Sequence, residues 1–139
     1  MIEIDNFLSK NEVKILIDYY DNTLKRRLSP AHSFWDKRVL QCHSITQPKV
    51  RKLIASTQYR VIAKCCKFYN EEYLYPDHTD IVTWRSGMEL KPHVDNMHIN
   101  DPNLKHDNPY RDYSSIVYLN DNYEGGNTIF PKQNYKTTP

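Results

Sequence analysis

The sequence predicts an α+β protein in which N-terminal helices support an antiparallel sheet or barrel, and three observations carry that prediction. Two apolar stripes of helical period occupy the first half of the chain, and four short β-rich pieces occupy the second. None of the gaps between those pieces carries the helical stripe that a parallel crossover needs, so antiparallel pairing is favoured. The 139 residues suit one domain, which at this size buries about 68% of its unfolded surface. A hydrophobic fraction of 39% and a charged fraction of 26% are those of a folded chain, although eleven tyrosines make it rich in aromatics.

Ser9 followed by Glu12 is a capping-box pattern, and Val13, Leu16, Ile17, Tyr20 and Leu24 continue it at helical spacing. The spacing predicts a helix over about 10–24. The only basic cluster, Lys25-Arg26-Arg27, lies where that helix ends, where cations complement the helix dipole. Thr46 and Pro48 read as the N-cap and first position of a second helix. Its stripe of Val50, Leu53, Ile54 and Val61 carries it to about residue 66. Both stripes are core faces, and no chemistry is assigned to them.

After Tyr75-Pro76 the expected strands are "DIVTWRS", "MELKPHVD", "YSSIVYLN" and "NTIF", separated by turn-forming residues. All three glycines, Gly87, Gly125 and Gly126, stand beside the ends of these strands. The polar stretch from about 96 to 112 is long for a connection inside a compact domain; loops of this length are commonly functional, and a mobile lid is expected here.

Charge and patterning exclude several classes. Nineteen basic against seventeen acidic residues leave a net charge of +2 and no basic face, so no nucleic acid partner is expected. No apolar run is long enough for a membrane span, and "MIEIDNFLSK" lacks the regions of a signal peptide, so a cytoplasmic protein is expected. Cys42, Cys65 and Cys66 are odd in number, and the adjacent two could close only a strained ring; reduced thiols follow.

The chemistry-bearing candidate is "KPHVDN", residues 91 to 96. In a strand, residues two apart point to one face, so the His93 imidazole and the Asp95 carboxylate can converge on one ion while Val94 points the other way. A face of two histidines and one carboxylate leaves coordination positions open for a cosubstrate and dioxygen, as an iron(II) oxygenase requires. The alternative is a polar pair on a solvated edge. His32, His43, His78, His98 and His106 read as ordinary histidines.

"TWRSGMELKPHVDN" and "RDYSSIVYLNDNYEGGNTIFP" together resemble the prolyl 4-hydroxylase branch of the iron(II) and 2-oxoglutarate-dependent dioxygenases. The shared features are a glycine six residues before the histidine, His-x-Asp, an arginine-led strand ending in Tyr-Leu-Asn, and Gly-Gly-x-Thr-x-Phe-Pro. "IEIDNFLSKNEVKILI" is similar to that family's first strand and helix, so the resemblance covers most of the chain. It implies a double-stranded β-helix, or jelly roll, carried on the N-terminal helices, with helical support over about 1–75 and roll strands over about 76–139. It implies that His93 and Asp95 are the metal ligands and catalytic centre, and that the Tyr118 phenol donates to the distal carboxylate of 2-oxoglutarate. Tyr118 is in phase with Ser114 and Ile116 on one strand face, which agrees with an inward-facing phenol. Trp84 and Arg85 would lie on the strand leading to the site, and Thr128 and Phe130 would pack within the roll.

The chain departs from the family pattern at Leu90 and Trp84, where tyrosines are frequent. The family's second histidine, and its lysine or arginine for the 2-oxoglutarate carboxylate, belong to strands after the Gly-Gly segment and are not in this sequence. The expectation is therefore an oxygenase domain whose C-terminal part is missing from this chain. The implied reaction couples decarboxylation of 2-oxoglutarate to succinate with hydroxylation of an unactivated C–H bond. Its cofactors would be Fe(II), the cosubstrate, O2 and ascorbate. Peptidyl proline is the implied substrate, with a free amino acid or other small molecule as the alternative. The competing class is a non-catalytic jelly-roll binding module or inactive fragment.

Overall fold

The computed structural model describes residues 1–23, 35–98, 101, 103–106 and 108–137. Leu24, the Lys25-Arg26-Arg27 cluster, His32 and parts of the 96–112 loop lie outside the described residues. The elements in chain order are α1 (Lys10–Asp21), β1 (Val39–Gln41), α2 (Pro48–Tyr69), β2 (Asp80–Val82), β3 (Ile129–Phe130) and β4 (Tyr135–Lys136), with short 3-10 turns at Cys42–Ser44 and Pro131–Gln133. They fall into two units, Met1–Trp84 and Arg85–Pro139.

In the first unit, the capping box forms as the sequence requires. The Ser9 amide donates to Glu12 Oε2 at 2.7 Å, and the Glu12 amide donates to Ser9 Oγ at 3.3 Å, so two amides at the start of α1 find side-chain acceptors. The Glu12 carboxylate also receives Arg60 from α2 at 2.9 Å, and the Arg60 guanidinium lies 5.3 Å over the Phe7 ring. α2 corrects the expected start: its N-cap is Gln47 rather than Thr46, and Pro48 takes the first position, where its missing N–H costs nothing. The Thr46 amide instead donates to the Tyr19 hydroxyl at 3.4 Å. The helix continues past the expected end to Tyr69, because Asn70 adopts the left-handed conformation, with φ 57°, that closes a helix C-terminus.

The stripes meet as core. Leu16 and Tyr20 of α1 and Val50 and Ile54 of α2 are buried together with Val39, Leu40 and Ile45. β1, which the sequence did not suggest, pairs antiparallel with β2 in the register Leu40 opposite Ile81. Arg38, at the head of β1, is 1% exposed. A buried guanidinium needs partners. Arg38 donates to the Thr83 carbonyl at 2.9 Å and lies 5.1 Å from the Trp35 ring and 5.5 Å from the Trp84 ring, which meet edge to face. Trp84 thus belongs to the arginine's surroundings in the first unit.

In the second unit β3 and β4 form one antiparallel pair, Ile129 opposite Lys136 and Phe130 opposite Tyr135. Asn134, with φ 48°, makes the reversal between them. "MELKPHVD" and "YSSIVYLN" were expected as strands and carry no ladder among the described residues. Pro92 removes a donor from the first, and Leu90, Val94, Ile116 and Tyr118 are all exposed, so neither segment has a buried face to fix its pairing. The described residues form two helices and two two-stranded antiparallel sheets.

Candidate metal centre

Pro92 biases the preceding Lys91 towards extended backbone, and the Lys91 carbonyl then lies within reach of the His93 side chain. His93 Nδ1 is 2.8 Å from that carbonyl oxygen. A carbonyl can only accept, so Nδ1 is the donor of this bond, and in the neutral imidazole that leaves the Nε2 lone pair available. Asp95 Oδ1 lies 3.4 Å from His93 Nε2. The other oxygen of the same carboxylate, Oδ2, accepts from the Ser114 hydroxyl. Each candidate ligand is therefore held through its rear atom by a second polar group, the arrangement that orients histidine and carboxylate ligands in metal sites.

The pair is half exposed, 50% for the His93 side chain and 40% for Asp95. As an ion pair it would contribute only about 0–1 kcal/mol in that setting, so stability alone gives the arrangement little purpose. No strand forms here, so the approach of the two side chains does not come from the strand face that the sequence suggested. Asn96 Nδ2 donates to the Arg111 carbonyl at 2.9 Å and joins the two ends of the polar loop.

Tyr118 is placed differently. Its hydroxyl is 2.7 Å from Thr128 Oγ1 and 3.1 Å from Thr137 Oγ1, and Thr137 Oγ1 also accepts from the Thr128 amide at 3.0 Å. The sequence candidates thus divide into the His93–Asp95 pair and a phenol held by two threonines on the β3–β4 side. Ser114 sits on the same segment as Tyr118 and is the residue that reaches Asp95. The phase relation of Ser114 and Tyr118 was visible in the sequence, but the role of Ser114 was not read from it. The Lys91 carbonyl and Thr137 carried no signal in the sequence, because a backbone acceptor and an isolated threonine belong to no motif.

Beside Tyr118, burial first, then the neighbouring phenol and Asp121, push the Tyr123 phenol up. Tyr123 packs over Gly126, whose φ is +64° and where an added Cβ would stand 3.1 Å from Tyr123 Cε2. His98 and His106 pair with each other across the polar loop, ring centroids 5.0 Å apart, and the Asn108 amide donates to His106 Nδ1 at 3.1 Å. His78 Nε2 lies 3.0 Å from Asp80 in the first unit. All three cysteines are free, and burial, with the Asp80 charge adding to it, pushes the Cys42 thiol up to about 12, far from a nucleophile's range. Among the described residues no group of three histidines, cysteines or acidic residues gathers to hold a metal, and no helix is long and apolar enough to cross a membrane. No known family, curated protein or solved structure matches the chain.

Proposed function

We propose that the chain supplies the His-x-Asp half of an iron(II) centre in a 2-oxoglutarate-dependent dioxygenase similar to the prolyl 4-hydroxylases. The observation that carries this reading is the His93–Asp95 geometry: Nε2 and Oδ1 are 3.4 Å apart, with the imidazole proton committed to the Lys91 carbonyl and Oδ2 to Ser114. Bonds of about 2.0–2.2 Å from an imidazole and a carboxylate to one divalent ion put neighbouring donor atoms roughly 3–3.5 Å apart, so the pair fits. When bound, iron(II) together with 2-oxoglutarate and O2 supplies the oxidant for an unactivated C–H bond, and ascorbate keeps the metal reduced.

The tasks of the chain's own residues follow from their contacts. His93 and Asp95 hold the metal face, while the Lys91 carbonyl and Ser114 fix their orientation. Tyr118, with Thr128 and Thr137, offers a cluster of hydroxyls that can exchange a mutual hydrogen bond for one to a cosubstrate carboxylate. The fold that accompanies this reading is a jelly roll, and peptidyl proline is the substrate class that the sequence resemblance favours. One observation favours the competing reading of a non-catalytic binding module: no third ligand joins the pair among the described residues.

The test is an anaerobic titration of the purified chain with iron(II), with and without 2-oxoglutarate. Saturable iron binding that is lost in His93→Ala and in Asp95→Ala is expected. No saturable binding by the wild-type chain, or binding that survives both substitutions, would contradict the reading.

A further inference from the structure

Away from the His93 segment, the first unit has a cavity of about 270 Å³, lined by Cys42, His43, Arg51, Ile54, Ala55, Gln58, Asp77, His78 and Thr79. One face of α2 makes a wall, since Arg51, Ile54, Ala55 and Gln58 follow helical spacing. The turn after β1 brings Cys42 and His43, and the run into β2 brings Asp77 to Thr79. The walls are tied to each other: the Cys42 amide donates to the Thr79 carbonyl at 3.1 Å, and Gln58 Nε2 donates to Thr79 Oγ1 at 2.6 Å. The cavity is therefore built into the fold.

Its polar groups differ in what they have left to give. His78 is drawn to Asp80 at 3.0 Å, and one N–H of the Gln58 amide is used on Thr79. The side chains of Arg51 and His43 form no hydrogen bond or ion pair among the described residues, and both residues line the space. A guanidinium fork and an imidazole N–H are donors for an oxyanion. Ile54 is buried, 8% exposed, and with Ala55 gives the cavity an apolar side. Asp77 lines the space and Asp80 lies behind His78, and this acidic charge disfavours a dianion more than a singly charged guest. A volume near the small end of ligand cavities suits a small guest rather than a drug-sized one.

We propose that this cavity binds a short-chain monocarboxylate, with the carboxylate on Arg51 and His43 and the alkyl part against Ile54 and Ala55. The site is independent of the iron reading. The test is a titration of the whole chain with propionate, followed by amide and imidazole NMR shifts, with inorganic phosphate as a parallel arm. Saturable shifts grouped on residues 42–43, 51–58 and 77–79 are expected, with affinity about tenfold weaker in Arg51→Gln and partly restored in Arg51→Lys. His43→Gln should weaken binding as well, and it keeps the test decisive if the Arg51 variants misfold. Absence of saturation with propionate, tighter binding of phosphate than of propionate, or affinity unchanged in both Arg51→Gln and His43→Gln would each overturn the proposal.

Discussion

Ser114 joins Asp95 to a segment that the sequence otherwise marks only by its tyrosine, and its hydroxyl accounts for the direction in which the carboxylate faces. If Asp95 is a metal ligand, Ser114→Ala removes an orienting bond without touching the metal, so divalent-ion affinity should fall about 10–100-fold while the fold is kept. Metal titration of the variant, with circular dichroism as the control, checks this; an unchanged affinity would show that the serine positions nothing. Gly126 has a different necessity. Its φ of +64° and the 3.1 Å approach of a would-be Cβ to Tyr123 mean that Gly126→Ala combines left-handed strain with a steric push. About 1–2 kcal/mol of destabilisation is expected in urea unfolding. A loss below a few tenths would mean that the turn relaxes freely. At this scale the His93–Asp95 approach was legible because two residues in one tripeptide have few ways to be far apart; the groups behind them were not, because they come from a carbonyl and from a segment nineteen positions away.

The elements that could be read were those that close their own hydrogen bonds. Ser9 and Glu12 announce the start of α1, and Pro48 announces the start of α2, because caps are local. β1 was missed for the opposite reason: Val39–Gln41 is short, and its partner Asp80–Val82 lies beyond a whole helix. The "MELKPHVD" segment was over-read as a strand because alternation was visible while the lack of a pairing edge was not. A pH prediction belongs here. Hydrogen bonds from the Ser9 amide and then its hydroxyl hold the Glu12 carboxyl below its usual 4.5; desolvation opposes them and Arg60 adds to them. A depressed folded-state pKa stabilises above the unfolded value and loses that contribution as pH falls through the folded one. The melting temperature of Glu12→Gln should therefore lie below that of the wild type at neutral pH, and the gap should close as pH falls below about 4.5. A gap of constant size across that range would exclude Glu12's charge as its source. Ser9→Ala, which removes the cap itself, should cost about 1 kcal/mol at neutral pH, measured by denaturant unfolding.

Across the whole molecule, the two helices of the front half were legible, and the arrangement of the remainder was not. The first unit buries Arg38 between two tryptophans and holds its core through α1, α2 and β1, so its organisation follows from burial. The second unit has one short hairpin and long segments outside any ladder among its described residues, and its significance rests on what its polar groups do. That significance turns on whether His93 and Asp95 bind one ion. Mn(II), which shares the oxygen and imidazole ligands and the octahedral preference of such sites, broadens NMR signals around wherever it binds and so locates the site directly. Titrated into the wild-type chain, it should broaden His93, Asp95 and Ser114 first, and that broadening should vanish in His93→Ala. Broadening centred instead on His98 and His106, or unchanged at Asp95 and Ser114 in His93→Ala, would contradict the assignment of the pair as a metal centre.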